Sequence, residues 1–191
     1  MSYQMPQVLK TFRKAAPAVR LSLQTSNCYE IREKVLNGTV DLGIHYDVGG
    51  YGPSLIVEKL GSYDMVLVGS TELGSEEQDF ISEGQRKDIC LLTTDKNSLY
   101  HKIFDEYLRT SDITLNGEME LVSTEAVKRC VAGNVGVSYL PRFTVRHELE
   151  QKAMRELATG IPGRAIDAVC TYHRNKWVTP AMELFIRLLS Q

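Results

Sequence analysis

The sequence predicts an α/β protein in which strands and helices alternate along the chain. In several segments apolar residues recur with the period of an amphipathic helix, and between them apolar and polar residues alternate as in a half-buried strand. Short connections join these segments, which is typical of strand–helix–strand units with parallel strands. The composition agrees with this class, because 43% apolar and 24% charged residues over 191 positions are the values of an ordinary globular protein.

The first elements form one such unit. Residues 4–14 carry an apolar helical stripe, and residues 19–24 alternate between apolar and polar, which predicts a strand. Helical spacing returns from Cys28, and Gly38 is the residue expected at the helix C-terminus. A second strand is predicted over 40–46, parallel to the first.

The remaining elements predict a second cycle after a polar connection. Residues 55–60 and 64–68 are predicted as two strands, and the acidic segment 70–87 as a solvated connection. The later elements are a strand at 89–93, a helix from Leu99, a strand ending at 121–122, a helix from Ser123 to Gly133, a strand at 135–140, a short helix after Pro141, a strand at 166–172 and a helix begun by Thr179 and Pro180.

Two cycles separated by candidate hinges predict two lobes with a cleft between them. The hinges are expected near 68–70 and near 161–163, where Ile-Pro-Gly interrupts the pattern. The first lobe would then hold residues 1–69 and 162–191, and the second lobe residues 70–161.

Charge and motif content exclude several functions. The formal charge is −2, so the chain lacks the basic surface of a nucleic-acid-binding domain. No apolar run reaches the roughly 18 residues of a membrane-spanning helix, and no secretion signal opens the chain, which predicts a cytoplasmic protein. Four dispersed cysteines and four histidines show no metal-ligand spacing, and no phosphate loop or nucleophile elbow occurs. We therefore expect no metal, no cofactor and no catalytic residues.

Three polar turns precede predicted helices and are candidate ligand contacts. In an open α/β sheet, such turns line the crevice at the carboxyl ends of the strands, and helix N-termini present free N–H groups there. Hydroxyl groups and helix dipoles together favour a small anion, such as a carboxylate or a sulfur oxyanion. The alternative is that these residues are plain helix N-caps, and the residue types alone favour that alternative. The candidates are Thr25, Ser26 and Asn27 in the first turn, Thr94 and Ser98 in the second, and Ser123 and Thr124 in the third.

Cys28 and His45 each allow two interpretations. Cys28 opens a predicted helix, where the dipole would lower the pKa of a thiol, but packing as a small buried residue is the simpler role. His45 ends a predicted strand and could face the cleft, although a surface or strand-end role is the simpler interpretation.

Three separated segments resemble the effector-binding domain of LysR-type transcriptional regulators. They are MPQVLKTFRK (residues 5–14) followed by Ala16-Pro17, EKVLNGTVDLGI (residues 33–44) and STEAVKRCVAGNVGVSYLPRF (residues 123–143). They occur in the family's order and spacing, and the resemblance covers essentially the whole chain.

The resemblance implies a two-lobed fold like the type 2 periplasmic binding proteins, with two Rossmann-like subdomains joined by two hinge crossovers. It also implies a small-molecule effector in the cleft, control of transcription, and a head-to-tail homodimer, with a tetramer as the further option for the full-length protein. It favours effector binding over plain capping for Ser26 and Thr124. The family's DNA-binding winged helix-turn-helix and the strand before the first helix do not occur in this chain, so DNA contact would be made only through that missing N-terminal domain.

Two other functions share this architecture. A solute-binding receptor of a transport system has the same fold but requires a secretion signal. An enzyme requires a nucleophile, a base or a metal constellation, and the sequence contains none that we recognise.

Overall fold

The computed structural model describes residues 5–163 and 165–190. The α-helices are α1 Met5–Ala15, α2 Cys28–Leu36, α3 Leu99–Thr110, α4 Thr124–Ala132, α5 Arg146–Glu150 and α6 Pro180–Leu189. The strands are β1 Gly43–Tyr46, β2 Leu55–Ser70, β3 Arg86–Thr93, β4 Thr114–Glu120, β5 Gly136–Pro141, β6 Met154–Leu157 and β7 Ala165–His173. None of the described helices is both long and apolar enough to cross a membrane.

Packing divides the chain into two compact units. The first unit contains the residues up to 62 and those from 167 onward, and the second contains residues 63–166. Two strands, β2 and β7, pass from one unit to the other. The sequence places the lobe boundaries at 69/70 and 161/162, whereas packing divides the chain at 62/63 and 166/167. The positions of the hinges themselves stay a prediction.

In the first unit, β1 pairs with β7 in antiparallel register, and β7 lies beside β2. Helix α2 covers β1 closely, because a Cβ atom on Gly43 would come within 2.8 Å of side-chain carbons of Ile31 and Val35. Helices α1 and α6 pack through Phe12 and Phe185, whose rings meet edge to face at 5.2 Å. This buried aromatic pair is an apolar contact between helices near the two ends of the chain.

In the second unit, the strand order is β6, β2, β5, β3, β4. Strand β2 is antiparallel to β5 and β6, whereas β3 is parallel to both β4 and β5. Helix α4 packs on this sheet over a core of buried residues: Val66, Val68, Leu92, Val127, Val131, Leu140, Val145 and Met154. The parallel strands predicted for the second cycle are confirmed.

The strand predicted over residues 19–24 is wrong. Its apolar residues are exposed, with Leu23 at 59%, and its backbone has no ladder partner among the described residues. Alternating polarity specifies one apolar face, but a strand forms only where a neighbouring strand satisfies its N–H and C=O groups. The first parallel strand–helix–strand unit is therefore not formed, and β1 begins at Gly43 instead of residue 40.

Two further predictions need correction. Residues 55–60 and 64–68 belong to one continuous strand, β2, which also includes residues 61–63 between them. The connection predicted over 70–87 is irregular as expected, but it ends where β3 begins at Arg86, and it buries Leu73 and Phe80 in the second unit.

Candidate functional site

The first polar turn, residues 25–27, lies in the first unit at the start of α2. Asn27 is the N-cap: its backbone is extended and its Oδ1 accepts a hydrogen bond of 3.0 Å from the backbone N–H of Glu30. Thr25 is exposed, and its hydroxyl makes no hydrogen bond to other described residues. Asn27 therefore caps α2, and the Thr25 hydroxyl takes no part in this cap.

Ser26 is held by a residue that the sequence did not single out. Its Oγ accepts a hydrogen bond of 2.6 Å from the Nζ of Lys34, on the last turn of α2. A lysine there is expected merely from the helix dipole, so the sequence carried no signal for this contact. The contact places an ammonium group beside a hydroxyl that was predicted to bind an anion.

The second and third polar turns lie together in the second unit. The second turn, residues 94–98, follows β3, and the third turn, residues 121–124, follows β4. Because β3 and β4 are parallel, both turns leave the same edge of the sheet, and the N–H of Leu121 donates to the carbonyl of Thr93 at 2.8 Å. The structure therefore brings four predicted site residues to one edge: Thr94, Ser98, Ser123 and Thr124.

Two of these hydroxyls are helix caps. Ser98 accepts from the N–H of His101 at 3.4 Å, and Ser123 accepts from the N–H of Ala126 at 3.2 Å. A capping hydroxyl uses a lone pair and keeps its own proton, so it can still donate to a ligand. Capping and anion binding are compatible for both serines.

The two threonines differ from the serines. Thr94 Oγ1 lies 3.4 Å from the hydroxyl of Tyr100, and is half-buried. The half-buried Thr124 hydroxyl makes no hydrogen bond within the described chain. Thr124 is thus the predicted residue in this unit whose hydroxyl is least committed to the fold.

A charged cluster lies beside the second turn. Glu118 on β4 is 3.2 Å from the Nε2 of His101 and, through its other oxygen, 3.2 Å from the Nζ of Lys96. The His101 side chain is only 10% exposed. This edge of the sheet is therefore polar, and the negative charge of Glu118 is offset by the positive charge of Lys96.

His45 is a satisfied core residue. It is 2% exposed, its Nδ1 is 2.7 Å from the carbonyl of Tyr46, and its Nε2 is 3.1 Å from Thr171 Oγ1. Since a carbonyl only accepts, Nδ1 carries the proton and the Thr171 hydroxyl donates to Nε2. Burial lowers the pKa of His45, which keeps the imidazole neutral.

The cysteines lie in different environments. Cys28 begins α2 as predicted and is half-buried, whereas burial raises the pKa of the Cys170 thiol to about 12. Among residues 5–163 and 165–190, no three metal-ligating side chains are grouped so that they could hold an ion.

Comparison with known proteins assigns the whole chain to one family. The model of the LysR substrate binding domain matches residues 1–191. The chain is 42% identical over 191 residues to YfiE of Escherichia coli and 27% identical over 190 residues to YwqM of Bacillus subtilis, both HTH-type transcriptional regulators. It spans 64% of the length of each of these relatives.

Solved structures show the same fold at low sequence identity. The regulatory domain of Synechocystis CcmR in complex with 2-PG has a TM-score of 0.78 at 19% identity, covering 99% of this chain and 90% of that one. The regulatory domain of MetR from N. meningitidis has a TM-score of 0.79 at 19% identity, covering 99% of this chain and 86% of that one.

These likenesses confirm the fold predicted from the sequence, a mixed α/β architecture of the type 2 periplasmic-binding-protein class. The curated relatives are transcription regulators, which favours a regulator over the transport-receptor alternative. This chain belongs to the LysR substrate-binding-domain family.

Proposed function

We propose that this chain senses a small anionic metabolite and thereby controls DNA binding by a helix-turn-helix in the whole regulator. The observation that carries the proposal is the convergence of Thr94, Ser98, Ser123 and Thr124 on one sheet edge, at the starts of α3 and α4. Helix N-termini bring free N–H groups and a partial positive charge to the same place. Hydroxyl and N–H donors are suited to holding an anion, and the role that we propose is binding.

The first unit contributes the second set of donors. Ser26 and Asn27 lie at the start of α2, and the Lys34 ammonium adds a full positive charge to that turn. We infer that anion binding at these donors favours some conformations of the chain over others. In the whole protein that conformational preference would be read by the DNA-binding domain.

Structural neighbours support a small-molecule ligand. One neighbour is the CcmR regulatory domain in complex with 2-PG, and another is the effector-binding domain of QuiR in complex with shikimate. The relatives carry the name HTH-type transcriptional regulator and are longer than this chain, which supports DNA binding as a property of the whole protein. A regulator of this kind acts in the cytoplasm.

The proposal includes a homodimer in solution. Helix α1 buries Phe12 fully, but Met5, Val8 and Leu9 stay partly exposed on the same face. The apolar face of α1 is therefore broader than the part that the chain's own core covers. Such a face is suited to packing against a second copy of the chain in a two-fold symmetric dimer. Light scattering at tens of micromolar protein is expected to give the mass of a dimer, and a monomer at that concentration would contradict this part of the proposal.

Calorimetry on a panel of small anions tests the binding site. The panel contains 2-PG, shikimate, short carboxylates and sulfur oxyanions. For any compound that binds, Ser26→Ala and Thr124→Ala should each weaken affinity roughly tenfold, the value of one charge-assisted hydrogen bond.

Thr114→Ala is the matched control, because Thr114 is an exposed threonine at the other end of β4. It should leave affinity unchanged. Binding that survives both test substitutions would show that the assigned residues are wrong, while failure of every anion on the panel would contradict the ligand class.

A further inference from the structure

The turn that ends α2 contains a reactive dipeptide. Asn37 is the C-cap of the helix, and Gly38 follows in the left-handed conformation at φ +77°. Both residues and Thr39 are exposed to solvent. An asparagine before glycine is the pair in which a backbone nitrogen meets least steric hindrance on its way to a side-chain amide, because glycine has no Cβ.

Thr39 prepares the side-chain amide of Asn37 for attack. Asn37 Oδ1 accepts one hydrogen bond from the backbone N–H of Thr39 at 3.0 Å and another from Thr39 Oγ1 at 2.6 Å. Two donors on a carbonyl oxygen draw charge from its carbon. The same donors stabilise the oxyanion that forms when a nucleophile adds, as in an oxyanion hole.

The nucleophile is the backbone nitrogen of Gly38. Its N–H donates to the carbonyl of Val35 at 3.2 Å, at the last turn of α2. Helix ends open readily, and breaking this bond frees the nitrogen to rotate toward the side chain. No heavy atom outside the neighbouring residues lies within 4 Å of a Cβ built on Gly38, so the turn faces open space on that side.

We propose that Asn37 is a site of spontaneous deamidation, which converts it to aspartate and isoaspartate. The Gly38 nitrogen loses its proton to water and forms a bond to Asn37 Cγ, giving a tetrahedral oxyanion on Oδ1. The bond from Cγ to the amide nitrogen then breaks, and ammonia leaves with a proton from solvent. Water opens the resulting five-membered imide at either carbonyl, and no oxidation or reduction takes place.

A second pair of the same sequence provides an internal comparison. Asn116 and Gly117 lie within β4, where Gly117 is in parallel register with Cys90 of β3. The Asn116 amide donates through Nδ2 to Asp88 Oδ1. Here the strand pairing of β4 with β3 holds the backbone in place. The Asn116 side chain donates a hydrogen bond through its amide nitrogen, whereas the Asn37 side chain accepts two through its amide oxygen. The structure therefore distinguishes two chemically identical dipeptides.

The product changes the end of α2. A carboxylate at position 37 adds a negative charge at the helix C-terminus, where the dipole disfavours it. The isoaspartate product also inserts a methylene group into the main chain between α2 and β1. Both changes affect the same connection that leads into the buried strand.

Intact-mass and peptide-level mass spectrometry test the proposal on the whole chain. The protein is incubated at mildly alkaline pH under native conditions, and the exchange of an amide NH₂ for OH is followed with time at positions 37 and 116. The expected result is conversion at position 37 well before position 116. In denaturant, the two positions should react at similar rates.

Variants at the turn test whether the Thr39 hydrogen bonds, and not merely the Asn-Gly sequence, accelerate deamidation. Thr39→Val keeps the backbone donor but removes the hydroxyl, and should slow conversion roughly two- to tenfold, the range for one exposed hydrogen bond. Thr39→Ser should restore the rate, and Gly38→Ala should slow it further. Equal rates at positions 37 and 116 in the folded protein, no conversion at position 37, or a Thr39→Val rate equal to that of the unmodified chain would each overturn the proposal.

Discussion

The hydroxyl oxygen of Ser26 accepts a 2.6 Å hydrogen bond from the ammonium nitrogen of Lys34. The two residues lie at opposite ends of α2, and the lysine side chain reaches back along the helix toward the N-terminus, the direction that helical side chains prefer. The predicted anion-binding turn therefore has a positive charge that its own residues do not supply.

The first prediction concerns this charge. Lys34→Gln should weaken the binding of an anionic ligand roughly two- to tenfold, because a partly exposed charged donor contributes about 0.5–1.5 kcal/mol. Calorimetry with a compound that binds the unmodified chain measures the change. Lys10→Gln, on the exposed side of α1, removes the same charge elsewhere and should have no effect. Equal affinities for the two variants would show that Lys34 takes no part in binding.

The second prediction separates capping from binding at the start of α4. Ser123→Ala removes a cap hydrogen bond and should lower the free energy of unfolding by about 1 kcal/mol. Thr124→Ala removes a hydroxyl that makes no hydrogen bond in the described chain, so stability should change by less than about 0.5 kcal/mol. Urea unfolding of both variants measures the difference. If Thr124→Ala destabilises as much as Ser123→Ala, the Thr124 hydroxyl has a structural role that competes with the proposed one.

The sequence predicted the helix ends well because their signals are local. Thr179 and Pro180 begin α6, and the cap at Thr179 is formed within a single turn. Strand partners are not local. The pairing of β1 with β7 joins distant parts of the chain, and the failure of residues 19–24 to form a strand depends on a neighbour that periodicity does not reveal.

The candidate site shows the same division. Ser98, Ser123 and Asn27 are helix caps, as their residue types allow. The meeting of the second and third turns followed from the predicted parallel strands. By contrast, the contact of Lys34 with Ser26 and the cluster of Lys96, His101 and Glu118 depend on side-chain paths that no motif encodes.

The third prediction concerns the ion pair that joins α4 to α5. Lys128 Nζ is 2.7 Å from Glu148, and their side chains are 11% and 19% exposed. Burial tends to lower the pKa of Lys128, but hydrogen bonds to Glu148 and Glu125 outweigh burial, so the pKa is raised. Lys128→Met leaves Glu148 half-desolvated without a partner, which should cost about 1–3 kcal/mol.

The double variant Lys128→Met with Glu148→Leu tests the cause. It should recover most of the lost free energy of unfolding, because two apolar side chains can replace a paired charge at little cost. Chemical unfolding of the single and double variants measures the coupling. A double variant no more stable than Lys128→Met would mean that the loss comes from packing and not from the stranded carboxylate.

The fourth prediction is a pH dependence caused by His45. Its pKa is lowered in the folded chain by burial, so the unfolded chain takes up a proton first as pH falls through about 6.5. Neutral His45 makes its full contribution to the free energy of unfolding above that pH. Below it the contribution is lost, at no more than about 1.4 kcal/mol per pH unit. Unfolding free energies between neutral and mildly acidic pH should therefore decline.

The comparison variant is His45→Asn. Asparagine keeps a donor for the carbonyl of Tyr46 but has no group that titrates between neutral and mildly acidic pH. It should flatten the decline, whereas His147→Gln, at an exposed position on α5, should leave the slope as it is. An unchanged slope in His45→Asn would assign the acid sensitivity to other groups.

The fifth prediction concerns the segment between α1 and α2. Residues 19–25 are exposed, and Val19 alone among them donates a backbone hydrogen bond to another described residue, Ala16. A protease needs a stretch of chain that opens at little cost, and this stretch has no ladder or helix to break. Trypsin should therefore cut after Arg20 before it cuts within any described helix or strand.

Mass spectrometry of early digests identifies the site of the first cut. Arg20→Gln should delay that cut, whereas Arg129→Gln, on the exposed face of α4, should not. A first cut within α1 or β3 would show that residues 19–25 are held more firmly in solution than their missing hydrogen bonds imply.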